Sequence, residues 1–393
     1  MLNMENDLMV RNKYSKNQIA KAGENFLSDD NMKDPELLSQ TLDILSYWRS
    51  CHTMPLESAI KKVRTVVRKI DSNAIYAKRL KRYPSIATKL RRFPKMSLKN
   101  MQDIGGCRVI VSNSKKVDKI VRELKRKSEF KCAKGIIRSK DYIKEPKPDG
   151  YRSYHMIGNF PDELGDIRRI EVQIRTRIQH YWATALEIID LFTKQSLKTN
   201  QGERLWVEFF QKISVQFAAM DDIHLFIGQD ENKKFKEYAL KLKASKELAS
   251  KALDVVELSN NLGVIEKLNA FANSLKIVAD AVASIEVSGY ILIQIDLKLA
   301  TLNYRVFDKD SVIDAEDEYT NAEKHSAIEG ENTVVALVYT DHVDEIKAAY
   351  PNFFADSTEF IKLLGLIHAS ESLFRKSLVQ KWLELANISS YTG

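Results

Sequence analysis

The sequence predicts an α+β protein, in which a mixed β-sheet flanked by helices is followed by a helical segment and a small α/β C-terminal domain. Three observations carry that expectation. Between Cys107 and Thr176, short runs alternate apolar and polar residues with period two, the mark of strands, and a helix-patterned run interrupts them. From Arg204 to Val287 only the helical period of three to four residues is present. Beyond Ser288 short alternating runs return.

The elements follow in order. Asn17–Leu27, Pro35–Arg49 and Leu56–Ile70 carry helical patterns, and residues 1–59 are expected as an N-terminal helical cap. Residues 60–195 hold the sheet. Cys107–Val111 is apolar almost throughout, as a strand buried on both faces requires. A helix over Val117–Lys127, strands over Phe130–Arg138, Arg152–Phe160 and Arg168–Thr176, and a helix over Ile178–Lys194 complete that segment. Residues 196–287 should form helices at Arg204–Ala219, Asn232–Leu258 and Val264–Val287, with Asn260-Asn261-Leu262-Gly263 as a break. The Ala/Lys/Glu/Leu-rich 232–258 stretch suits a packed hairpin better than a coiled coil. Residues 288–393 read as strands Tyr290–Leu297, Ala300–Val306 and Thr333–Tyr339, with helices Asp314–Ile328, Val343–Tyr350 and Thr358–His368. No catalytic constellation lies there, so packing, dimerisation or regulation is expected of it.

Composition excludes several classes. Cys51, Cys107 and Cys132 have no metal-ligand spacing and make no disulfide framework. The first residues lack a basic stretch followed by an apolar one, and no apolar run approaches eighteen residues, so neither a signal peptide nor a membrane span is expected. A cytoplasmic location fits. The net charge of +8 hides an asymmetry: +18 over residues 1–200 and −10 over residues 201–393. Residues 61–150 alone hold 28 basic against 8 acidic residues. Polyphosphate substrates account for part of that surplus. RNA would also be attracted, and a solvated basic face is the plain alternative.

The chemistry concentrates between Arg79 and Thr176. In the strand at Arg168–Thr176, Glu171, Gln173 and Arg175 share one face while Ile170, Val172 and Ile174 share the other. Carboxylate, amide and guanidinium in a row suit a phosphate-and-metal site, although a solvated amphipathic strand has the same pattern. Pro146, Pro148 and Gly150 mark a loop, and Asp149-Gly150 is a turn. After it, Tyr151, Ser153 and His155 should share a face. Tyr151 offers a ring on which a base can stack, and His155 and Lys147 can meet phosphate oxygens or hydroxyls. A core aromatic and a satisfied histidine are the bland readings. Upstream, Asp103 stands beside Gly105 and Gly106 at the entrance of the Cys107 strand. A carboxylate there can share Mg²⁺ with Glu171 and substrate phosphates, or merely cap a turn. Arg79, Lys81 and Arg108 would neutralise a polyphosphate.

Together these residues resemble the RelA/SpoT-type alarmone synthetase (nucleotide pyrophosphokinase) domain. The resemblance rests on Arg79-x-Lys81 with Ser85-Ile86 and Lys89, then Asp103-Ile-Gly-x-x-Arg108. It continues through Lys140-Asp141-Tyr142-Ile143, Pro146-Lys147, Gly150-Tyr151-Arg152-Ser153-x-His155 and Glu171-Val-Gln-Ile-Arg175-Thr176, followed by His180. It covers roughly Ile60–Gln195, and the stretch Gln179–Ala185 is looser than in the long enzymes of the family. It implies a nucleotidyltransferase-like synthetase fold that transfers the β,γ-pyrophosphate of ATP to a ribose 3′-hydroxyl of GDP or GTP. By position, Asp103 and Glu171 are the implied catalytic pair and Mg²⁺ ligands, with Glu171 placed to help deprotonate the hydroxyl. Arg79, Lys81, Ser85, Lys89, Arg108 and Lys140 belong to the ATP side. Lys147, Tyr151, His155, Gln173 and Arg175 belong to the acceptor, with Tyr151 stacking on its base.

The long bifunctional relatives also carry a hydrolase with an adjacent His-Asp pair. None of the seven histidines here precedes an aspartate, so synthesis without hydrolysis is expected. Two other functions compete. One is a toxic member of the superfamily that modifies the tRNA 3′ end or an adenosine nucleotide, held in check by its own C-terminal domain. The other is a nucleotide-binding module without catalysis, against which Asp103, Glu171 and Tyr151 argue. Opposite charge on the two halves further suggests that residues 1–200 alone are more active than the full chain, and that salt relieves the inhibition. A homo-oligomer is compatible with all of these.

Overall fold

The apolar run Cys107–Val111 and the alternating run Arg168–Thr176 become neighbouring strands of a five-stranded sheet. The computed structural model describes residues 13–28, 34–132, 134–162, 165–193, 204–269, 289–296, 301–308, 310–329, 333–340 and 357–389. Strands β1 (Ile75–Leu80), β2 (Gly105–Val111), β3 (Ser139–Asp141), β4 (Tyr154–Pro161) and β5 (Ile167–Thr176) form a mixed sheet in the order β1-β2-β5-β4-β3. Only β2 and β5 run parallel, with Gly106 opposite Glu171 and Arg108 opposite Gln173.

One face is apolar. Cys107, Val109, Met156, Ile170, Val172 and Ile174 pack there against Leu56, Ala59, Ile60, Val63 and Val67, and against Val117, Ile120, Val121 and Leu124. The former set comes from α3 (Thr53–Val67) and the latter from α5 (Ser114–Lys125). Their apolar stripes at three-to-four-residue spacing dictate that these helices lie on this face. Helices α1 (Lys16–Asn25) and α2 (Pro35–Ser50) pack with α4 (Tyr83–Arg92) around Leu45, Trp48, Tyr83 and Ile86. Pro35 at the first turn and the Asp34 carboxylate, which accepts from Glu36 and Leu37 N–H, start α2.

Helix α6 (Arg177–Thr193) leads from β5 to a helical core with α7 (Arg204–Asp221), α8 (Glu231–Ala244) and α9 (Lys246–Leu262). The expected single helix 232–258 is two, because Ser245 leaves the helix and caps α9 through Leu248 N–H. They form the packed hairpin, and Gly263 at φ +59° ends α9 where the break was expected. Strands β6 (Gly289–Asp296), β7 (Thr301–Asp308) and β8 (Thr333–Thr340) form a wholly antiparallel sheet, order β7-β6-β8, under α10 (Val312–Glu329). Helix α11 (Thr358–Ser389) then sends Phe360, Leu363, Leu364 and Ile367 into the helical core rather than onto that sheet. The expected helix Val343–Tyr350 and most of Val264–Val287 lie outside the described residues. Among the described residues, no helix is long and apolar enough to cross a membrane.

The strand expected over Phe130–Arg138 does not form. Phe130 is buried against Phe160, which anchors the chain. Residues after it close a turn on themselves: Cys132 N–H bonds to Ile136 O, and Gly135, at φ +71°, bonds to Cys132 O. Pairing with β4 then starts near Arg138, so only Ser139–Asp141 remains as strand. Likewise the expected strand at Arg152 begins at Tyr154, since residues 151–153 belong to the loop.

Candidate functional site

The polar face of the sheet collects the chemistry by register. One row across it reads Ala77, Arg108, Gln173, His155 and Lys140; the next reads Arg79, Gly106, Glu171 and Ile157. Side chains two apart along a strand share a face, so Arg175 joins Glu171 and Gln173. Gly106, which has no side chain, is the only residue between Arg79 and Glu171 in their row. The strand β1 that supplies Arg79 has little sequence signature of its own, being a short edge run in a basic stretch.

Asp103 precedes β2 in a loop tied to the end of β1 by the Lys81 N–H bond to Ile104 O. Its two oxygens are divided between cations: Lys81 Nζ at 3.0 Å on Oδ2 and Lys89 Nζ at 2.6 Å on Oδ1. Lys89 reaches it from α4, one turn beyond Ser85, which lies in the first turn of that helix. Burial lowers the pKa of Lys81, and the Asp103 charge partly offsets this.

Glu171 accepts from His155 Nδ1 at 2.9 Å and from Gln173 Nε2 at 2.7 Å. Burial would raise its pKa, but the His155 bond and charge, the Gln173 amide and Lys89 outweigh it and hold the carboxyl at about 2. The other ring nitrogen of His155 meets the Tyr151 hydroxyl at 2.9 Å, giving an unbroken chain Tyr151–His155–Glu171–Gln173. Tyr151 stands edge-on to Tyr142, His155 and Trp182. Lys147 Nζ lies over the rings of Tyr142 and Tyr151 at 4.8 and 4.5 Å.

Arg175 is fully buried and its guanidinium contacts the His180 ring. Burial and then the Arg108 charge lower its pKa, and Arg79 adds to the repulsion. Among the described residues, the buried Nε atoms of Arg108 and Arg175 have no hydrogen-bond partner. Uncompensated buried donors beside further cations fit an anionic ligand, because such groups are costly to leave unpaired. Lys140 is exposed on the edge strand β3, opposite His155.

Arg79, Arg108, Lys140, His155, Glu171, Gln173 and Arg175 therefore share this face, and Asp103 is tied to it through Lys81 and Lys89. Tyr151 and Lys147 join through His155 and the aromatic rings, and Ser85 is placed only in the first turn of α4. The structure adds Tyr142, whose ring completes the aromatic wall, and Arg92, whose charge reaches Lys147 and Tyr142. It also adds Gln211 and Ser214 of α7, which bond to the carbonyls of Pro148 and Gly150. Nothing in the sequence marks the last two, since they lie some sixty residues downstream of the loop they touch.

Residues 78–189 match the family described as "Region found in RelA / SpoT proteins". The chain is similar to GTP pyrophosphokinase YwaC of Bacillus subtilis (strain 168), 35% identical over 114 residues, covering 27% of this chain and 52% of that protein. It is also similar to GTP pyrophosphokinase YjbM of the same organism, 30% identical over 137 residues, covering 33% of this chain and 63% of that protein. The chain thus spans between half and two thirds of the length of these curated relatives. Among solved structures, small alarmone synthetase 1 from Bacillus subtilis bound to its product pppGpp aligns at 23% identity and TM-score 0.37, over 44% of this chain and 93% of that chain.

Proposed function

We propose that this chain, whose residues 78–189 form a RelA/SpoT-type domain, is an ATP-dependent pyrophosphotransferase acting on the ribose 3′-hydroxyl of GDP or GTP. One observation carries the reading: a single sheet face joins two guanidiniums whose buried Nε atoms have no hydrogen-bond partner among the described residues, an ionised Glu171 and the aromatic-cationic wall of Tyr142, Lys147 and Tyr151. The two curated relatives are named GTP pyrophosphokinases, which supports the guanine acceptor.

In this reading Arg79, Lys81 and Arg108 receive the triphosphate, Ser85 offers a hydroxyl at the start of α4, Lys89 and Lys140 flank it, and Arg175 serves the acceptor side. Tyr151 and Lys147 hold the acceptor base and phosphates. The 3′-oxygen attacks the β-phosphorus, the bond from that phosphorus to the bridging oxygen of AMP breaks, and AMP leaves. Glu171 accepts the hydroxyl's hydrogen bond and orients it, and the proton released as the new O–P bond forms passes by way of Glu171 to solvent. With a pKa near 2 it is a weak base, so positioning and charge neutralisation supply most of the rate. Among the described residues, no three His, Cys, Asp or Glu side chains cluster as a complete metal site. In this reading Asp103 and Glu171, whose oxygens bond to Lys81, Lys89, His155 and Gln173, would hold Mg²⁺, a hard cation that takes one or two carboxylates and completes its shell with substrate phosphates and water. When bound there it would offset charge on the transferred phosphates.

The test is incubation of the purified chain with γ-labelled ATP and GDP, GTP, AMP or bulk tRNA. Label in a guanine nucleotide with release of AMP is expected, and its absence with active protein overturns the reading. Label in tRNA is the outcome of a second reading, the toxic one. That reading is supported by the exposed run Arg91, Arg92 and Lys95, of which Arg92 carries a charge that reaches Lys147 and Tyr142. Either chemistry would use cytoplasmic nucleotides.

We also assign a regulatory role to residues 289–340. Glu323 of α10 meets the buried Arg49 at 2.5 Å, and Arg49 lies between the rings of Tyr83 and Tyr319, at 4.4 and 5.0 Å. Lys78 lies over Tyr290, and Lys324 pairs with Asp43. These contacts flank Arg79, Lys81 and the start of α4, which is the ATP side of the proposed site.

A further inference from the structure

We propose that one turn of α7, Phe210–Ser214, is a clamp that sets the loop Lys147–Ser153, making Gln211 and Ser214 positioning residues for the acceptor. The acceptor part rests on the function proposed above, whereas the clamp itself is a matter of geometry. Helix α7 lies outside the RelA/SpoT match at 78–189.

Within the loop, Gly150 N–H bonds to Lys147 O, Lys147 N–H to Tyr151 O, and Asp149 accepts from Tyr151 N–H. Its far end is tied to the sheet, where Ser153 Oγ donates to Ile174 O, Ser153 O accepts from Tyr142 N–H and the Tyr151 hydroxyl meets His155, while its turn at Pro148–Gly150 is held from α7. Gln211 Nε2 donates to Pro148 O at 2.6 Å, and Ser214 Oγ donates to Gly150 O at 2.5 Å. Ser214 Oγ in turn accepts from Arg152 Nε at 3.2 Å, while Arg152 Nη1 donates to Ile143 O at 2.7 Å. One hydroxyl on α7 thereby joins both ends of the tyrosine-bearing turn.

The fit is close. Gly150 sits at φ +92°, and a Cβ there would come within 3.0 Å of Phe210 O and of Ser214 Cβ. Phe210 O also accepts from Trp182 Nε1 at 2.9 Å, and Trp182 is the ring against which Tyr151 stands. The same helical turn therefore bears on the Tyr151 ring through Trp182 and on its backbone through Gly150. Because Phe209, Phe210 and Phe217 pack with Phe360 of α11, the acceptor loop is coupled to the C-terminal helix.

The experiment uses the full chain with Ser214→Ala and Gln211→Met, singly and together. Lys212→Met is the control, since Lys212 bonds to Glu208 and Asp254 and touches no loop atom. Amide hydrogen exchange over 147–153 should quicken about tenfold or more in the double variant, while the β5 peptide 167–176 and the control stay as in wild type. The KM for the acceptor should rise about tenfold with the KM for ATP unchanged within about twofold, the signature of a misplaced loop. Unchanged exchange in the loop overturns the proposal. So does loosening that spreads equally to β5, or equal shifts in both KM values. Should wild type transfer nothing to GDP or GTP, the proposed function fails, and the exchange comparison still decides the clamp.

Discussion

At the residue scale the network around Glu171 assigns distinct tasks to groups that look alike in sequence. Asp103 is held by two lysines and Glu171 by a histidine and an amide. Asp103→Asn and Glu171→Gln should each abolish transfer, and the double variant should be little worse, as for groups that act as a unit; initial rates with labelled ATP check this. The low pKa of Glu171 also bears on stability. Its folded value, about 2, is below the usual 4.5, so its contribution is fully present above pH 4.5 and is lost as pH falls toward 2. Glu171→Gln should flatten that acid limb, read as Tm at pH 3 and pH 6. From the ring face alone, Tyr151→Phe should retain most activity. The hydroxyl's bond to His155 changes that expectation: Phe should cost about 1 kcal/mol of acceptor binding, and Ala about 1–3 kcal/mol more. Titration with GDP separates the two variants.

At the element scale the joint between β5 and α7 is the telling case. Asp221, near the end of α7, is buried and accepts from Thr176 Oγ1 at 2.8 Å and Gln179 Nε2 at 3.1 Å. Burial, then the neighbouring Asp222, raises its pKa to about 7 despite those bonds. The folded chain then binds a proton that the unfolded chain has released between about pH 4 and 7, so stability falls as pH rises through that window. Asp221→Asn keeps an acceptor oxygen and removes the titration. The variant should therefore lose this slope, and its Tm relative to wild type should be higher at pH 8 than at pH 5. Strand legibility shows the same dependence on context. The β5 pattern was plain because one face is apolar core and the other is the site. The β1 pattern was hidden because an edge strand with a cationic face resembles a basic helix, and Phe130–Arg138 misled because its apolar residues anchor a turn.

At the scale of the whole molecule, charge asymmetry pointed to contact between the halves, and the structure gives that contact a form. Arg49 and Glu323 are both buried, with side chains 3% and 4% exposed. Removing one member of such a pair costs roughly 3–5 kcal/mol, because the other stays buried without its counter-charge. Glu323→Ala should lower the Tm and, if residues 289–340 restrain the ATP side, raise transfer or toxicity. Lower stability with unchanged activity would leave the contact a structural one. Salt should relieve this restraint only weakly, since buried charges are poorly screened. Residues 1–200 alone should be inactive rather than more active, because the cut removes α7 and with it the bonds to Pro148 and Gly150. Even 1–287 loses the aromatic contact of Phe360 with the helical core. Growth on expression of each truncation, with solubility measured, checks both points.

The sequence by itself determined the mixed sheet, the helical middle, the return to strands and nearly every residue on the polar face. Periodicity encodes which face a side chain takes, and the turn and charge signals lie within a few residues of the elements they shape. Only the tertiary structure decided that Tyr151 is bound to His155, that the Nε atoms of Arg108 and Arg175 have no partner among the described residues, that α11 joins the helical core, and that α7 bonds to the loop Lys147–Ser153. Those facts depend on atoms brought together from distant parts of the chain, such as Gly150 and Ser214 or Arg49 and Glu323. Local pattern carries no information about such meetings, because burial and register, and not residue type, decide which polar groups are satisfied and which are left for a ligand.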